Sequence, residues 1–313
     1  MTTTTETIAL GPLTISHPSK VLWSSARGEA PYTKIEYLRY LRDAAPAILP
    51  HLRGRPLVLT RYPHGAEGPS FYQKNVPTHA PDWIQRFTDH HGANATTYMI
   101  ARDPLDLVWL GQQAALEFHV WLATRDRPEY PDRAVIDLDP MPPLGFSAAR
   151  DVARVLRPML DRAGVSTYLK TSGATGLHLF IPVAPTRTHR EVALAVRPVG
   201  LLLQRLWPEQ VTMVRSVRER GPRVYFDYLQ NGRGKTLCAA YSPRPLPGAP
   251  VSTPITWNEL EGVDPLDFNI RTVPERLRQR DEVWASLPRG APQDLEALTA
   301  LARGALGSAA VPD

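Results

Sequence analysis

Asp137 and Asp139 close a short apolar run, Ala134-Val135-Ile136-Asp137-Leu138-Asp139-Pro140. In a β-strand, side chains at i and i+2 share a face. Leu138 then enters the core, and both carboxylates project from the opposite face near the strand's end. Pro140 cannot continue a ladder, so the strand is expected to stop there. Two carboxylates fixed side by side repel unless protons or cations lie between them. Hard oxygen ligands at this spacing suit Mg²⁺ or Mn²⁺. Two such ions about 3.5–4 Å apart are the common device for in-line phosphoryl or nucleotidyl transfer. Asp-x-Asp alone arises often by chance, so the residues that follow must carry the argument.

The segment Lys170-Thr171-Ser172-Gly173-Ala174-Thr175-Gly176-Leu177-His178 joins two expected strands. Its glycines let backbone N–H groups approach an anion, and Ser172 adds a hydroxyl. His178 lies between Leu177 and Leu179 and faces away from them. Taken alone, a glycine-rich hairpin with a satisfied core histidine is the better reading of the segment, and the turn lacks the longer Gly-x-x-x-x-Gly-Lys span of a Walker loop. The third acid, Asp227, lies in Val224-Tyr225-Phe226-Asp227-Tyr228-Leu229. A carboxylate in so apolar a strand is costly unless paired or metal-bound. A salt bridge to Arg223 or Arg220 is the plain alternative. Around it come Arg220, Gln230, Lys235 and Arg244, which suit either a triphosphate clamp, since arginine forks match phosphate oxygens, or a solvated basic edge.

The elements that must position these groups alternate. Residues 34–49 carry apolar side chains at helical spacing, 55–62 read as a strand, and 110–118 look helical and lead into His119. A charged, proline-bearing loop covers 126–133, and a candidate boundary lies in 123–133. After the acid strand comes a helix from Ser147, read as its N-cap, to Ala163, with Pro158 expected to kink it. Strands at 166–171 and 177–183, a helix over about 188–206, and strands at 222–229 and 236–241 follow. A βαβ unit therefore surrounds the two aspartates, and the class is α/β or α+β.

The chain has 313 residues, 43% of them hydrophobic, and a net charge of +5. That is enough for one large or two medium domains. The sign of the charge suits an anionic partner, although an arginine-rich proteome would produce it too. A lone cysteine, Cys238, excludes an internal disulfide and a cysteine zinc site, and its apolar surroundings suggest an inert buried thiol. The Thr-rich start has no signal-peptide pattern, and no apolar run approaches the ~20 residues of a membrane span, so a soluble cytoplasmic protein is expected.

Taken in order, acid-x-acid, Ser-Gly-x-x-Gly-x-His and a lone acid in an aromatic strand resemble the archaeo-eukaryotic primase superfamily. Ile15-Ser16-His17-Pro18-Ser19-Lys20-Val21-Leu22, Tyr32-Thr33-Lys34, Arg53-Gly54-Arg55-Pro56-Leu57, Arg61-Tyr62-Pro63-His64-Gly65 and Phe71-Tyr72-Gln73-Lys74-Asn75 resemble the polymerase domain of bacterial ligase D. So do Gln112 to His119, Gln230-Asn231 and Tyr241-Ser242-Pro243-Arg244. The resemblance runs from about residue 8 to about residue 285.

The resemblance implies a primase-like catalytic core with two α/β modules flanking an active-site cleft. Residues 11–290 would form the primase-polymerase domain, with an N-terminal module at about 11–125 and a catalytic module at about 134–261. Residues 1–10 and 304–313 would be disordered. Asp137, Asp139 and Asp227 match a divalent-metal triad holding two Mn²⁺ or Mg²⁺ ions. His119, Ser172, His178, Arg220, Gln230 and Arg244 match positions that hold the incoming nucleoside triphosphate, with His119 or Ser172 sensing a ribose 2′-hydroxyl. Lys20 and Lys34 match lysines that grip a 5′-phosphate across a gap. Phe71 and Tyr72 match an aromatic pair that stacks on template bases, although core packing would be expected to claim one of them. Thr175 stands where relatives often carry Lys.

The implied activity is template-directed nucleotide addition in DNA repair, with ribonucleotides preferred, on DNA bearing gaps, overhangs or 5′-phosphorylated ends in the nucleoid. No ligase or phosphoesterase segment is recognised, and the chain reads as a stand-alone polypeptide. End joining beside Ku and a separately encoded ligase, gap filling in excision repair and priming of synthesis all stay open. A non-catalytic DNA-end binding module and a metal-dependent nuclease are the rivals from other classes.

Overall fold

The computed structural model describes residues 6–92, 94–287 and 290–306. The chain divides into two compact units. One comprises Met1–Val120, Cys238–Thr253 and Leu266–Glu282; the other comprises Trp121–Leu237, Pro254–Pro265 and Val283–Asp313.

The second unit is built on a six-stranded sheet, counted among the described residues. Its order is Val211–Thr212, Val224–Asp227, Arg133–Pro140, Leu177–Pro182, Tyr168–Thr171 and Pro254–Ile255. Arg133–Pro140 and Tyr168–Thr171 both run antiparallel to Leu177–Pro182, which lies between them. They are therefore parallel to each other, joined by the helix Phe146–Arg162. The expected βαβ unit exists, but it is split by an inserted strand.

A second helix, His189–Leu206, lies on one face of this sheet. A Cβ on its Gly200 would come within 2.6 Å of the Phe226 ring, so glycine permits the close approach. Phe226 is the cross-strand partner of Leu138, which is fully buried. The helix thus occupies the Leu138 face, and the alternation of the strand sends Asp137 and Asp139 to the other. Thr188 and Glu191 form a capping box that starts this helix where the sequence suggests. The other helix begins at Phe146 after Gly145, not from a Ser147 cap, and it runs on past Pro158. A last helix, Glu296–Leu306, packs on His189–Leu206. It occupies residues 304–306, where a disordered tail is expected; 307–313 lie outside the described residues.

The first unit carries a sheet ordered Thr236–Cys238, Ala115–Trp121, Leu57–Arg61, Thr96–Ile100 and Gln85–Asp89, with Phe71–Gln73 also paired to Leu57–Arg61. Thr7–Leu10 pairs with Leu13–Ser16, so a strand replaces the disorder expected over the end of 1–10; residues 1–5 lie outside the described residues. The single helix expected over 34–49 is two, Lys34–Asp43 and Ala45–Leu52. Pro46 has no N–H to continue the first ladder and is tolerated in the opening turn of the second.

The helix expected over 110–118 is wrong. Its real counterpart, Pro104–Gln112, is started by an Asp103–Asp106 capping box. Ala114 then takes a left-handed turn at φ 60°, and Ala115–Trp121 is a strand. His119 is therefore a strand residue.

Candidate active site

Four charged or ionisable residues form one row across the sheet of the second unit. Asp227 is the direct Cα partner of Asp137, Asp137 of His178, and His178 of Lys170. Cross-strand partners project to the same face. Asp139 joins that face two residues beyond Asp137, opposite Tyr225. Asp137 is nearly buried and Asp139 is exposed. The His178 Nε2 lies 3.3 Å from Asp137 Oδ1.

Asp227 ends its strand rather than lying inside it. Its Oδ1 accepts the Leu229 N–H at 2.9 Å, capping the short turn Tyr228–Asn231. The same oxygen accepts the Tyr225 hydroxyl at 3.3 Å. Burial pushes the Asp227 carboxyl above its ordinary range, and these two bonds only partly oppose the shift. Tyr225 is pushed up to about 12, by burial first and by the Asp227 charge second. Among the described residues, Asp227 forms no salt bridge with Arg220 or Arg223. Arg220 instead stacks 3.5 Å over the Tyr225 ring and donates to the carbonyls of Val214 and Arg215.

Ser172 closes its own turn. Its Oγ accepts the N–H groups of Ala174 and Gly176, and its N–H donates to the Gly176 carbonyl. A Cβ at Gly176 would press on the Leu138 carbonyl at 2.9 Å, so the turn needs glycine there. Gln230 Oε1 is buried without a hydrogen-bond donor.

Among the described residues, no three His, Cys, Asp or Glu side chains are placed closely enough together to hold a metal ion. The donor set nevertheless fits hard divalent cations. It offers three carboxylates on one sheet face, one of them raised by burial, and a burial-raised carboxyl is one that a cation would return to its ionised form.

The first unit holds a separate group. Glu117 and His119 alternate with Phe118 along Ala115–Trp121 and share a face. The Arg244 Nε lies 2.8 Å from Glu117 Oε1, and the His119 Nε2 lies 3.6 Å from Oε2. The Tyr62 hydroxyl reaches Oε2 at 3.4 Å. Burial raises the Glu117 carboxyl, but His119 and the Arg244 charge outweigh burial and hold it below its ordinary value.

Phe71 and Tyr72 are both exposed, at 47% and 71%, so core packing claims neither. They do not form one platform. Successive strand residues point to opposite faces. The Tyr72 ring sits edge-on to His119 at 6.4 Å, and Phe71 sits 5.3 Å from the Arg61 guanidinium.

Lys20 and Lys34 line a cavity of about 290 Å³ with His17, Arg61 and Gln113. Each donates to a backbone carbonyl, Lys20 to Pro63 and Lys34 to Ser16. Burial, then the neighbouring Lys20 charge, pulls the Lys34 amine below its ordinary value. Lys34 is also the first residue of a ten-residue helix.

Three residues of these groups escape sequence reading. Lys170 reads as a strand end, Tyr225 as a core aromatic and Glu117 as part of a helix. The alternation Glu117-Phe118-His119, a period of two, is the signal that could have found the last.

The family described as LigD, primase-polymerase domain, matches residues 33–284. The chain belongs to the LigD primase-polymerase family. The bifunctional non-homologous end joining protein LigD of Bacillus subtilis is 35% identical over 271 residues, covering 86% of this chain and 43% of that protein. The multifunctional LigD of Mycolicibacterium smegmatis is 32% identical over 280 residues, covering 89% of this chain and 36% of that protein. The chain thus spans less than half the length of these relatives. A solved polymerase domain of Mycobacterium tuberculosis ligase D in complex with DNA superposes with a TM-score of 0.79 at 31% identity, covering 90% of this chain and 99% of that one.

The resemblance read from motif order is borne out, and so is the α+β class. LigD primase-polymerase domains are DNA-directed nucleotidyltransferases, a chemistry that takes nucleoside triphosphates and divalent metal. Among the described residues, no helix is long and apolar enough to cross a membrane.

Proposed function

We propose that this LigD-type domain adds nucleotides to a primer end in gapped or broken DNA, as a step of end joining, with ribonucleotides preferred. The observation that carries the reading is the Asp227–Asp137–His178 register, with Asp139 on the same face. Asp137, Asp139 and Asp227 would hold two Mn²⁺ or Mg²⁺ ions, which when bound lower the pKa of the primer 3′-hydroxyl and neutralise the triphosphate. His178, one strand over, keeps Asp137 in place through its Nε2 contact. Arg220, braced on Tyr225, and Gln230, with its buried unpartnered Oε1, serve the nucleotide. Ser172 does so through the turn it closes, and at Thr175, where relatives often carry lysine, one phosphate contact is missing that an arginine elsewhere could replace. In the first unit, Arg244 and His119 are further nucleotide-holding groups of this reading. Catalysis by these residues is mostly positioning and charge neutralisation.

Lys20 and Lys34 suit a 5′-phosphate on the far side of a gap. Neither has an acidic partner among the described residues, and a helix N-terminus already favours an anion. The partners are then DNA with gaps, overhangs or 5′-phosphorylated ends, with Ku and a DNA ligase as the end-joining machinery. Extension of a gapped duplex in Mn²⁺ or Mg²⁺, with and without the 5′-phosphate, tests the reading. Incorporation that is faster with ribonucleotides and with the phosphate supports it. Binding without incorporation would make the domain a DNA-end binding module, and strand cleavage would make it a nuclease.

A further inference from the structure

Glu117 is a buried acid with no part in the reading above, and both of its oxygens are engaged. Oε1 takes Arg244 at 2.8 Å, and Oε2 faces His119 at 3.6 Å and the Tyr62 hydroxyl at 3.4 Å. Its side chain is 6% exposed, whereas that of Arg244 is 25% exposed and that of His119 14%. The carboxylate is thus the inner member of the group, and the two cationic or titratable partners are its outer members.

Stability alone gives little reason for this arrangement. A buried ion pair is often replaceable by apolar side chains at no loss, because desolvation offsets the attraction. Two features suit orientation instead. The Arg244 backbone is pinned at both ends, its carbonyl by the Trp23 indole N–H at 2.8 Å and its N–H by the Pro250 carbonyl at 2.7 Å. The Glu117 carboxylate then holds the guanidinium charge by an ion pair at Nε, without a hydrogen bond there, with Cys238 as a second neighbour; where that charge is held matters for phosphate contacts. The strand around Glu117 is pinned as well, since the Phe118 N–H donates to Ser242 Oγ at 2.9 Å. Glu117 also lies in a row with Thr60 and Tyr72 across three strands, which brings Tyr72 to the same face.

We propose that Glu117 is a positioning residue that holds Arg244 and His119 in the orientation that receives the incoming nucleotide, and so sets nucleotide affinity and sugar choice. The proposal rests on the reading of Arg244 and His119 as nucleotide-holding groups. Glu117 touches no reacting atom; it acts through its two partners. Its loss is therefore expected in KM and in the ribonucleotide-to-deoxyribonucleotide ratio, with kcat largely kept. A purely structural role would lower stability, DNA affinity and kcat together.

The test is steady-state filling of a one-nucleotide gap by the wild-type chain, Glu117→Gln, Arg244→Ala and the double variant, with DNA affinity and thermal midpoint measured alongside. Glu117→Gln should raise nucleotide KM about tenfold, which corresponds to about 1.4 kcal/mol, change the sugar preference, and leave DNA affinity unchanged. The double variant should resemble Arg244→Ala alone, because the two residues act as one unit. If Arg244→Ala raises KM and Glu117→Gln does not, the Glu117 proposal is overturned while the nucleotide-holding reading stands. If Arg244→Ala itself leaves KM unchanged, both are overturned. Should Glu117→Gln fail to fold, Glu117→Asp, which keeps the charge and shortens the reach, is judged by the same KM criterion.

Discussion

Asp137 and Asp227 stand opposite one another on adjacent antiparallel strands, as direct Cα partners. Like charges in directly opposed positions destabilise a sheet. The pairing is therefore a local cost at the end of the strand Val224–Asp227, whose other residues are buried, and a cation between the carboxylates would remove it.

This gives a stability prediction. The Asp227 carboxyl is raised above 3.8 by burial. In the window from 3.8 up to its raised value, the folded chain holds the proton more tightly than the unfolded one. The contribution is full below the window and is lost as pH rises through the folded value. In chelator, urea midpoints of the wild-type chain should therefore fall relative to those of Asp227→Asn as pH rises through that window, then level off. Mn²⁺ added above the window should restore the wild-type chain and not the variant. Parallel pH curves for the two would remove Asp227 from the metal set.

Arg244→Ala should raise nucleotide KM about 10- to 100-fold, from the roughly 1.5–3 kcal/mol of a charged hydrogen bond, with DNA affinity unchanged. Gap-filling kinetics and DNA titration check this together. Equal losses in both would move Arg244 to the DNA path.

Lys20→Ala with Lys34→Ala should erase the preference for a 5′-phosphorylated gap and leave simple primer extension nearly intact. Each lost phosphate contact should lower the slope of log affinity against log salt by about 0.7–0.9. A double variant that keeps both the preference and the slope would return these lysines to ordinary surface charges.

Tyr72 and Phe71 should separate. Tyr72 lies by His119 and Phe71 by Arg61. Tyr72→Ala should weaken template or nucleotide binding by about 1–3 kcal/mol, the value of one base stack, while Phe71→Ala should act on discrimination of the 5′-phosphate. Identical profiles for the two variants would support a single stacking platform instead.

Much of the site was legible because it lies on short periodic segments. Asp137, Leu138 and Asp139 read correctly from alternation alone, and Thr188 with Glu191 marks its helix start. Motif order then supplied the family. The rest depends on register, which no local pattern encodes. That His178 neighbours Asp137 on one side while Asp227 does so on the other follows from strand order in the sheet. Asp227 was read inside a strand because its apolar run continues through Leu229, whereas its side chain caps the turn that ends the strand. Glu117 is hidden by a helical reading over 110–118 that one left-handed residue, Ala114, overturns.

The most direct test of the account is single-nucleotide incorporation into a gapped duplex in Mn²⁺, comparing the wild-type chain with Asp137→Ala and Asp139→Ala, with DNA affinity measured in parallel. Loss of a metal ligand should remove several kcal/mol of transition-state stabilisation. Both variants are predicted to bind DNA normally and to incorporate nucleotide at least about 10³-fold more slowly, at about 1.4 kcal/mol per tenfold. Near-normal incorporation by either variant would contradict the assignment of that aspartate to the metal site.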